Sequence, residues 1–292
     1  MHIRTQGKGG IVEIMDKKKS YTSSFARIYD DIMDAVPYDL WEKYIEELLN
    51  YYNKKPQEIL DLACGTGNMT IRFARKYKRV TGVDFSSDML EIARKKAETL
   101  NNINFINEDM RNFKAKKNYD LALSLFDSLN YILKFEELKK IFHNVYQALK
   151  PEGLFIFDMN TPYRLMSIKP GTNVFNGDYY TCFWEDNIDK DRGKWQVKLK
   201  IYFEDRSEYY QEIHEETAYP YKKIVKGLKD TGFATVDVYR AYTFLQGDDK
   251  ANRLYYVANK NKKSRHNKRA IKRFKKIVRW RLKKYFSRLI LI

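Results

Sequence analysis

The chain has 292 residues, of which 43% are hydrophobic and 15% aromatic, and this composition argues against a disordered protein. Its formal charge of +17 would suit a nucleic-acid binder, but the excess is unevenly placed. Residues 260–292 carry fifteen Lys or Arg and no Asp or Glu, which leaves 40 basic against 38 acidic side chains in residues 1–259. A nearly neutral body and a basic tail therefore need separate explanations.

Cysteine content and hydropathy limit where the protein works. Its two cysteines, Cys64 and Cys182, form no disulfide framework and lack the spacing of zinc ligands, so we expect a reducing compartment and no metal. No apolar run approaches the roughly 20 residues needed to span a bilayer. Residues 1–19 contain no long apolar stretch and no complete phosphate-loop motif, so we predict a flexible leader there. The sequence thus predicts a cytoplasmic protein.

After the leader, helices come first, and strands then alternate with helices. Apolar residues at three-to-four spacing predict helices within 20–52, interrupted at Pro37. Short apolar runs predict five strands, and helical patterns lie between most of them. The strands are 58–63, 79–84, 103–107, 119–125 and 153–158, and the helices are 68–77, 87–100 and 135–149. Such alternation indicates a parallel sheet covered on both faces.

The pattern changes after about residue 170. Apolar and polar residues alternate over 195–203, which predicts a strand with one buried face. Together with an aromatic-rich run at 179–184 and a further strand at 208–217, it predicts a small antiparallel β insert over 172–217. A helix at 219–231 and strands at 234–242 and 253–259 complete the body.

The most informative segment is the first strand and the glycine turn that follows it. Gly65 and Gly67 lack a Cβ, so a ligand can approach the backbone closely. Asp84 lies 19 residues after Gly65, at the end of the next strand, where a carboxylate can accept hydrogen bonds from both ribose hydroxyls of an adenosine ligand. The G-x-G-x-x-G pattern of dinucleotide sites is absent, because its positions are Ala63, Gly65 and Asn68. The turn therefore favours a nucleoside without a diphosphate.

These segments resemble the class I S-adenosylmethionine (SAM)-dependent methyltransferases. Residues 59–68 are similar to motif I, hhDhGxGxG, with Ala63 at its first glycine, and further motifs match at 83–90, 107–110, 119–131 and 149–153. The pattern Tyr21, Phe25-Ala26, Tyr29-Asp30 and the antiparallel insert resemble glycine/sarcosine and nucleotide-sugar amine N-methyltransferases. The resemblance covers roughly residues 20–259.

The resemblance implies an α/β fold, a Rossmann-like doubly wound seven-strand sheet with the last strand antiparallel, and SAM as cofactor. Residues 172–217 would then form part of a substrate lid. It also implies cofactor-binding roles for eleven residues. Ala63, Gly65 and Gly67 would line the methionine part of SAM, and Asp61 would orient the turn. Asp84 would hold the ribose, and the adenine would be contacted by Phe85, Met89, Asp109 and Met110. Tyr21 and Tyr29 would close over the cofactor.

Candidate catalytic residues lie where ligands bind in open α/β sheets, at the carboxyl edge. Asp127, Asn130 and Tyr131 follow the fourth strand, where they would contact substrate or form a loop-capping network. In some sugar N-methyltransferases a histidine stands in the place of Tyr131. His214 is the body histidine best placed to act as a base, and the alternative is a structural histidine. Asp127, Tyr131 and His214 are thus the catalytic candidates.

The basic tail lies outside the resemblance. From Ile271 its apolar residues recur at three-to-four spacing among many Lys and Arg, which predicts a basic amphipathic helix after a linker at 261–269. Such a helix suits an anionic membrane surface and would make the protein peripheral there. RNA is a second candidate partner. Docking on the body or on a second subunit, as a homodimer, is a third.

We therefore predict a SAM-dependent methyltransferase whose acceptor is a nitrogen or oxygen of a small molecule. One alternative is an RNA methyltransferase that uses the basic tail, although the N-P-P-[YF] motif is absent after the fourth strand, where the chain reads Leu125-Phe126-Asp127-Ser128. Another is a non-catalytic SAM-binding protein recruited to membranes.

Overall fold

The computed structural model describes residues 12–15, 20–115, 118–204, 208–261, 267 and 269; the side chains of 12–15 and 208 are not included. The strands are β1 Val12–Met15, β2 Glu58–Leu62, β3 Arg79–Asp84, β4 Ile103–Asn107, β5 Tyr119–Ser124, β6 Leu149–Asn160, β7 Gly171–Asn176, β8 Tyr180–Asp189, β9 Lys194–Phe203, β10 Glu208–Thr217, β11 Thr235–Arg240 and β12 Arg253–Asn259. The helices are α1 Ser23–Ile32, α2 Tyr38–Tyr51, α3 Asn68–Ala74, α4 Ser87–Lys96, α5 Phe135–Ala148, α6 Pro162–Ser167 and α7 Tyr221–Thr231, with a 3₁₀ turn at Ser128–Tyr131.

Seven strands form the central sheet in the order β11-β12-β6-β5-β2-β3-β4. Strands β2 to β6 run parallel, and β12, the last strand in the chain, is antiparallel to both of its neighbours. The predicted seven-strand sheet with its antiparallel last strand is therefore confirmed. The strand order reverses between β2 and β5, and the crevice at such a reversal is where open α/β sheets bind ligands.

Both faces of this sheet are buried, as the continuous apolar strands indicate. Within β6, Phe155 and Phe157 pack in one core with residues of α5 and α7, such as Phe142. The intervening Leu154 and Ile156 pack in the opposite core, which α2 and α3 cover. Side chains alternate along a strand, so a strand buried on both faces needs an apolar residue at every position.

A second sheet has the order β1-β10-β9-β8-β7. The insert thus contains one strand more than expected, β7, and begins at residue 171. Its other unexpected member is β1, which pairs in parallel with β10 and lies within the segment predicted to be a flexible leader. Without β1, β10 would be an edge strand with unpaired N–H and C=O groups, and β1 forms hydrogen bonds with those groups. One face of the sheet packs against α1, through Phe25 and Ile28.

Other differences are at element ends. Two helices predicted to run to residues 77 and 100 end at Ala74 and Lys96, and β6 is longer than expected. The predicted linker and amphipathic helix of the tail lie outside the described residues, apart from residues 261, 267 and 269. Among the described helices, none is long and apolar enough to cross a membrane.

Gly82 in β3 allows the glycine turn to pack closely. A Cβ there would lie 2.9 Å from both Cys64 Sγ and the Phe105 ring. We predict that Gly82→Ala lowers the free energy of unfolding by about 1–3 kcal/mol, because overpacking displaces its neighbours. Urea unfolding measures this. Gly171→Ala, where an added Cβ meets nothing within 4 Å, is the control, and equal stabilities for the two variants would contradict the prediction.

Candidate active site

The turn between β2 and α3 is built on left-handed backbone. Ala63, Gly65 and Gly67 have φ angles of 56°, 54° and 77°. A Cβ on Gly65 would meet nothing within 4 Å, so the backbone there borders open space. A Cβ on Gly67 would lie 3.1 Å from Ala93 Cβ, so this glycine serves close packing against α4. Ala63 adopts a conformation that costs a non-glycine residue about 1–2 kcal/mol, and such strain is often found at functional sites.

The Asp84 carboxylate joins this turn to the start of α4. One oxygen accepts a hydrogen bond from the Gly65 N–H at 2.8 Å, and the other accepts one from the Ser86 N–H at 2.9 Å. The Ser86 hydroxyl caps α4 by accepting from the Met89 N–H and donates to the Tyr21 carbonyl at 2.7 Å. Burial raises the pKa of Asp84, while the Ser86 and Gly65 N–H groups oppose that shift.

A cleft opens beside Asp84, bordered by the glycine turn, α1 and the start of α2. Ten of the predicted site residues line it: Tyr21, Tyr29, Asp61, Ala63, Gly65, Asp84, Phe85, Met89, Met110 and Tyr131. The side chain of Phe85 is half exposed and offers an apolar ring surface.

The cleft has further lining residues that sequence reasoning did not single out: Tyr38, Trp41, Cys64, Thr66, Asn68, Met69, Leu125, Phe126 and Ser128. Thr66 and Asn68 belong to the glycine turn, so its motif could have indicated them. Tyr38 and Trp41 come from the start of α2, far from any motif. Only the folded chain brings them there.

Helix α1 covers the cleft and is held by Asp30. Its carboxylate accepts hydrogen bonds from the Thr66 hydroxyl at 2.6 Å and the Asn68 amide at 2.9 Å, and it pairs with Lys96 at 2.6 Å. These bonds tie the helix that carries Tyr29 to both the glycine turn and α4. The Tyr-Asp pair of the sequence pattern therefore contributes the aspartate as an anchor.

Two tyrosines and a histidine meet at the end of the cleft. The Tyr21 hydroxyl donates to the Tyr131 hydroxyl at 2.9 Å, and Tyr131 Oη lies 3.4 Å from His214 Nδ1. His214 is buried behind the tyrosines and does not line the cleft. Burial raises the pKa of both Tyr21 and Tyr131 well above the usual value, so both hydroxyls are neutral at physiological pH.

Asp127 and Asn130 lie elsewhere than expected for substrate contacts. Asp127 is buried, pairs with Arg253 at 2.9 Å and accepts a hydrogen bond from Asn160. The Asn130 amide donates to the carbonyls of Asn160 and Thr217. Neither residue lines the cleft, and their bonds form the loop-capping network that was the alternative interpretation.

Asp109 does not line the cleft, and its adenine-binding role stays a prediction. Arg111 binds both of its oxygens, with Nε at 3.0 Å and 2.9 Å, and this pairing holds the pKa of Asp109 below its usual value. Gly67 is likewise not in the lining. Among the described residues, no group of three His, Cys, Asp or Glu could hold a metal ion.

The lining fits a nucleoside that carries no diphosphate. The backbone at Gly65 leaves open space, the Asp84 carboxylate can accept ribose hydroxyls, and the Phe85 ring is available for a flat base. SAM, when bound, supplies a sulfonium-activated methyl group.

Comparison with known proteins identifies the family. The methyltransferase domain family matches residues 59–153. YqeM of Bacillus subtilis, named as a methyltransferase, is 31% identical over 242 residues, covering 82% of this chain and 96% of the relative. A SAM-dependent methyltransferase structure from Clostridium acetobutylicum shares 31% identity and a TM-score of 0.70, covering 80% of this chain and 97% of that one. The chain belongs to the class I SAM-dependent methyltransferases, so the predicted enzyme class, cofactor and fold are confirmed.

More distant structures share the fold. The sugar N-methyltransferase KedS8 from Streptoalloteichus has 15% identity and a TM-score of 0.67, covering 90% of this chain and 100% of that one. The roles of the individual site residues stay predictions.

We predict that Asp84→Asn weakens binding of S-adenosylhomocysteine about 10- to 100-fold, because hydrogen bonds to a charged group contribute about 1.5–3 kcal/mol. Isothermal titration calorimetry on folded protein measures the affinity. Glu91→Gln, an exposed carboxylate on α4, is the matched control and should bind as wild type does. Unchanged affinity in Asp84→Asn would contradict the ribose-binding role.

Asp61 should make stability depend on pH. Burial raises its pKa to about 7, although the Thr70 hydroxyl opposes the shift. The folded state therefore binds more protons than the unfolded state between the usual Asp pKa of about 3.9 and that value. In this window the contribution of Asp61 to the free energy of unfolding falls as pH rises, by up to about 1.4 kcal/mol per unit.

Urea unfolding without ligand at pH 4.5–7.5 tests this dependence. Asp61→Asn should show a shallower fall with pH than wild type, because burial also raises the pKa of Asp84 and Asp158, which keep their contributions. Asp120→Asn is the control, because Lys150 and backbone N–H groups hold the pKa of Asp120 below its usual value, so its removal leaves the slope in this window unchanged. Parallel curves for wild type and Asp61→Asn would refute the assignment.

Proposed function

We propose that this methyltransferase transfers the methyl group of SAM to a nitrogen or oxygen of a small molecule. The observation that carries the proposal is the pair of neutral hydroxyls, Tyr21 and Tyr131, at the end of the cleft, backed by His214. A nitrogen or oxygen acceptor brings N–H or O–H groups, which can donate to these phenol oxygens. Because the sulfonium is already an activated electrophile, the protein mainly aligns the acceptor and excludes water.

The covering of the cleft supports a small acceptor. Helix α1 lies over the glycine turn, and β10 of the insert brings His214 against Tyr131. We infer that the insert forms part of a substrate lid. A polymer such as structured RNA would need an open, basic surface instead, whereas the sequence of the insert has eleven acidic and six basic residues over 172–217.

Relatives whose names state an acceptor act on small or carrier-bound molecules, but they differ in the atom that is methylated. One, from Streptomyces venezuelae, is a dTDP-amino-sugar N,N-dimethyltransferase, 29% identical over 114 residues. Another, from Ilyobacter polytropus, is a malonyl-[acyl-carrier protein] O-methyltransferase, 30% identical over 152 residues. Ubiquinone/menaquinone C-methyltransferases also match. The choice of nitrogen or oxygen therefore rests on the tyrosine hydroxyls.

The basic segment 260–292 carries the remaining alternatives. Binding to an anionic membrane surface, binding to RNA and docking on a second subunit are proposals about this segment alone, and its partner does not determine the chemistry of the cleft.

A methyl-transfer assay with the full chain tests the proposed function. Radiolabelled SAM is supplied with separate pools of amino acids and small amines, amino sugars, small alcohols and phenols, and total RNA. We expect label in at least one small-molecule pool, no loss of that label at high salt, and loss of it in Asp84→Asn. Transfer to RNA alone, abolished by deletion of 260–292, would establish the RNA alternative. SAM binding without turnover on any pool would establish the non-catalytic one.

A further inference from the structure

Strand β10 presents an unusual buried face. Glu212, His214 and Glu216 occupy alternate positions and are buried, whereas Ile213 between them is 44% exposed. A strand of a half-buried sheet normally shows the opposite arrangement, with apolar residues inside and polar ones outside. Buried polar groups cost free energy unless they are paired, so their contacts indicate what this face does.

Glu212 accepts the most hydrogen bonds of the three. Its carboxylate accepts hydrogen bonds from the Tyr21 N–H at 2.8 Å, the Thr22 N–H at 3.1 Å and the Thr22 hydroxyl. A carboxylate only accepts hydrogen bonds, so these three donors fix its position at the start of α1. One of its oxygens lies 3.2 Å from His214 Nε2, although this contact lacks the alignment of a good hydrogen bond.

The hydrogen-bond directions form one chain. Tyr21 donates to Tyr131, and the Tyr131 hydroxyl can then donate to His214 Nδ1. His214 Nε2 faces the Glu212 carboxylate, which favours the tautomer with its proton on Nε2 and leaves Nδ1 as the acceptor. Every donor thus points away from the cleft and toward Glu212.

We propose that Tyr131, His214 and Glu212 form a relay that takes a proton from the methyl acceptor. The relay rests on the proposed function and narrows its substrate class to acceptors that must lose a proton before attack, such as ammonium groups. Tyr131 contacts the acceptor, His214 receives the proton through it, and Glu212 is the positioning residue that sets the histidine tautomer and stabilises the imidazolium.

The proton and electron balance is simple for an ammonium acceptor. Its N–H proton moves to the Tyr131 oxygen as the tyrosine proton moves to His214 Nδ1. The freed nitrogen lone pair forms a bond to the methyl carbon, and the carbon–sulfur bond breaks with its electron pair going to sulfur. The products are the methylated ammonium, S-adenosylhomocysteine and an imidazolium, which returns its proton to solvent.

Other groups around the relay contribute to its pH dependence. Tyr21 packs edge-on against His214 with ring centroids 4.8 Å apart, and Phe25 lies at 5.4 Å. Burial is the main cause of the raised pKa of Tyr131, and the negative charges of Glu216 and Asp127 raise that pKa further. Burial raises the pKa of the Cys182 thiol on β8, and the nearby Glu212 carboxylate raises it further. Of these groups, the Glu212 carboxylate is the one in contact with His214 Nε2.

Nuclear magnetic resonance of the histidine rings tests the relay without any acceptor. The chain has four histidines, so the His214 signals can be assigned by their loss in His214→Asn. We expect the Nε2-protonated tautomer in wild type. In Glu212→Gln the amide should favour the other tautomer. Glu215→Gln, on the opposite face of β10, is the control and should leave the ring signals unchanged. An Nδ1-protonated ring in wild type would overturn the relay.

Kinetics with the best acceptor from the small-molecule pools supply the second readout. In wild type we expect kcat/KM to fall on the acidic side of its pH profile. His214→Asn should lose this acidic limb and about 100-fold of the activity at neutral pH. Glu212→Gln should lose about 10-fold of activity at neutral pH. The exposed His143→Asn is the control and should keep wild-type activity. Affinity for S-adenosylhomocysteine should stay unchanged in His143→Asn and His214→Asn.

The outcomes separate the two proposals. An active wild type whose acidic limb persists in His214→Asn would overturn the relay and leave the proposed function standing. A wild type that binds S-adenosylhomocysteine but methylates none of the pools would overturn the proposed function, while the ring tautomer would still decide the geometry of the relay.

Discussion

The buried Asp84 carboxylate holds together the two βα turns on which the cofactor site depends. It accepts one N–H from the turn after β2 and one from the start of α4, and the neighbouring Ser86 reaches the backbone of Tyr21. The side chains of Asp84 and Ser86 together therefore connect the glycine turn, the start of α4 and the backbone at Tyr21. The remaining lone pairs of the Asp84 oxygens are available to the cleft, so the same carboxylate organises the protein and can hold a ribose.

The fold could be predicted from the sequence because most of its signals are local. Continuous apolar runs indicated β2 to β6, period-two alternation indicated β9, and the spacing from Gly65 to Asp84 indicated the cofactor turn. The strands β1 and β7 were missed for a common reason. Both are short edge strands, and β7 is largely exposed, so their formation depends on pairing with β10 and β8 rather than on their own composition.

The candidate site was less predictable, because side chains that follow a strand can point either into the cleft or into the protein. Asp127 follows β5 as expected, yet it forms an ion pair with Arg253 of β12 inside the protein. Asp109 is paired with Arg111 nearer the surface. Glu212 was missed although an available signal existed. Glu212, His214 and Glu216 are spaced two residues apart, so they lie on one face of the strand, and the apolar Ile213 lies on the other. This pattern indicates that the polar face points inward.

The position of Glu212 links two events that occur on separate parts of the chain. Helix α1, which covers the cofactor, comes from the N-terminal region, whereas β10 belongs to the insert, yet one carboxylate holds the start of the helix and faces the histidine. If α1 must lift for SAM to enter, the Glu212 bonds to Tyr21 and Thr22 break at that moment. Cofactor loading and assembly of the relay are then thermodynamically coupled, which favours an ordered reaction in which SAM binds before the acceptor.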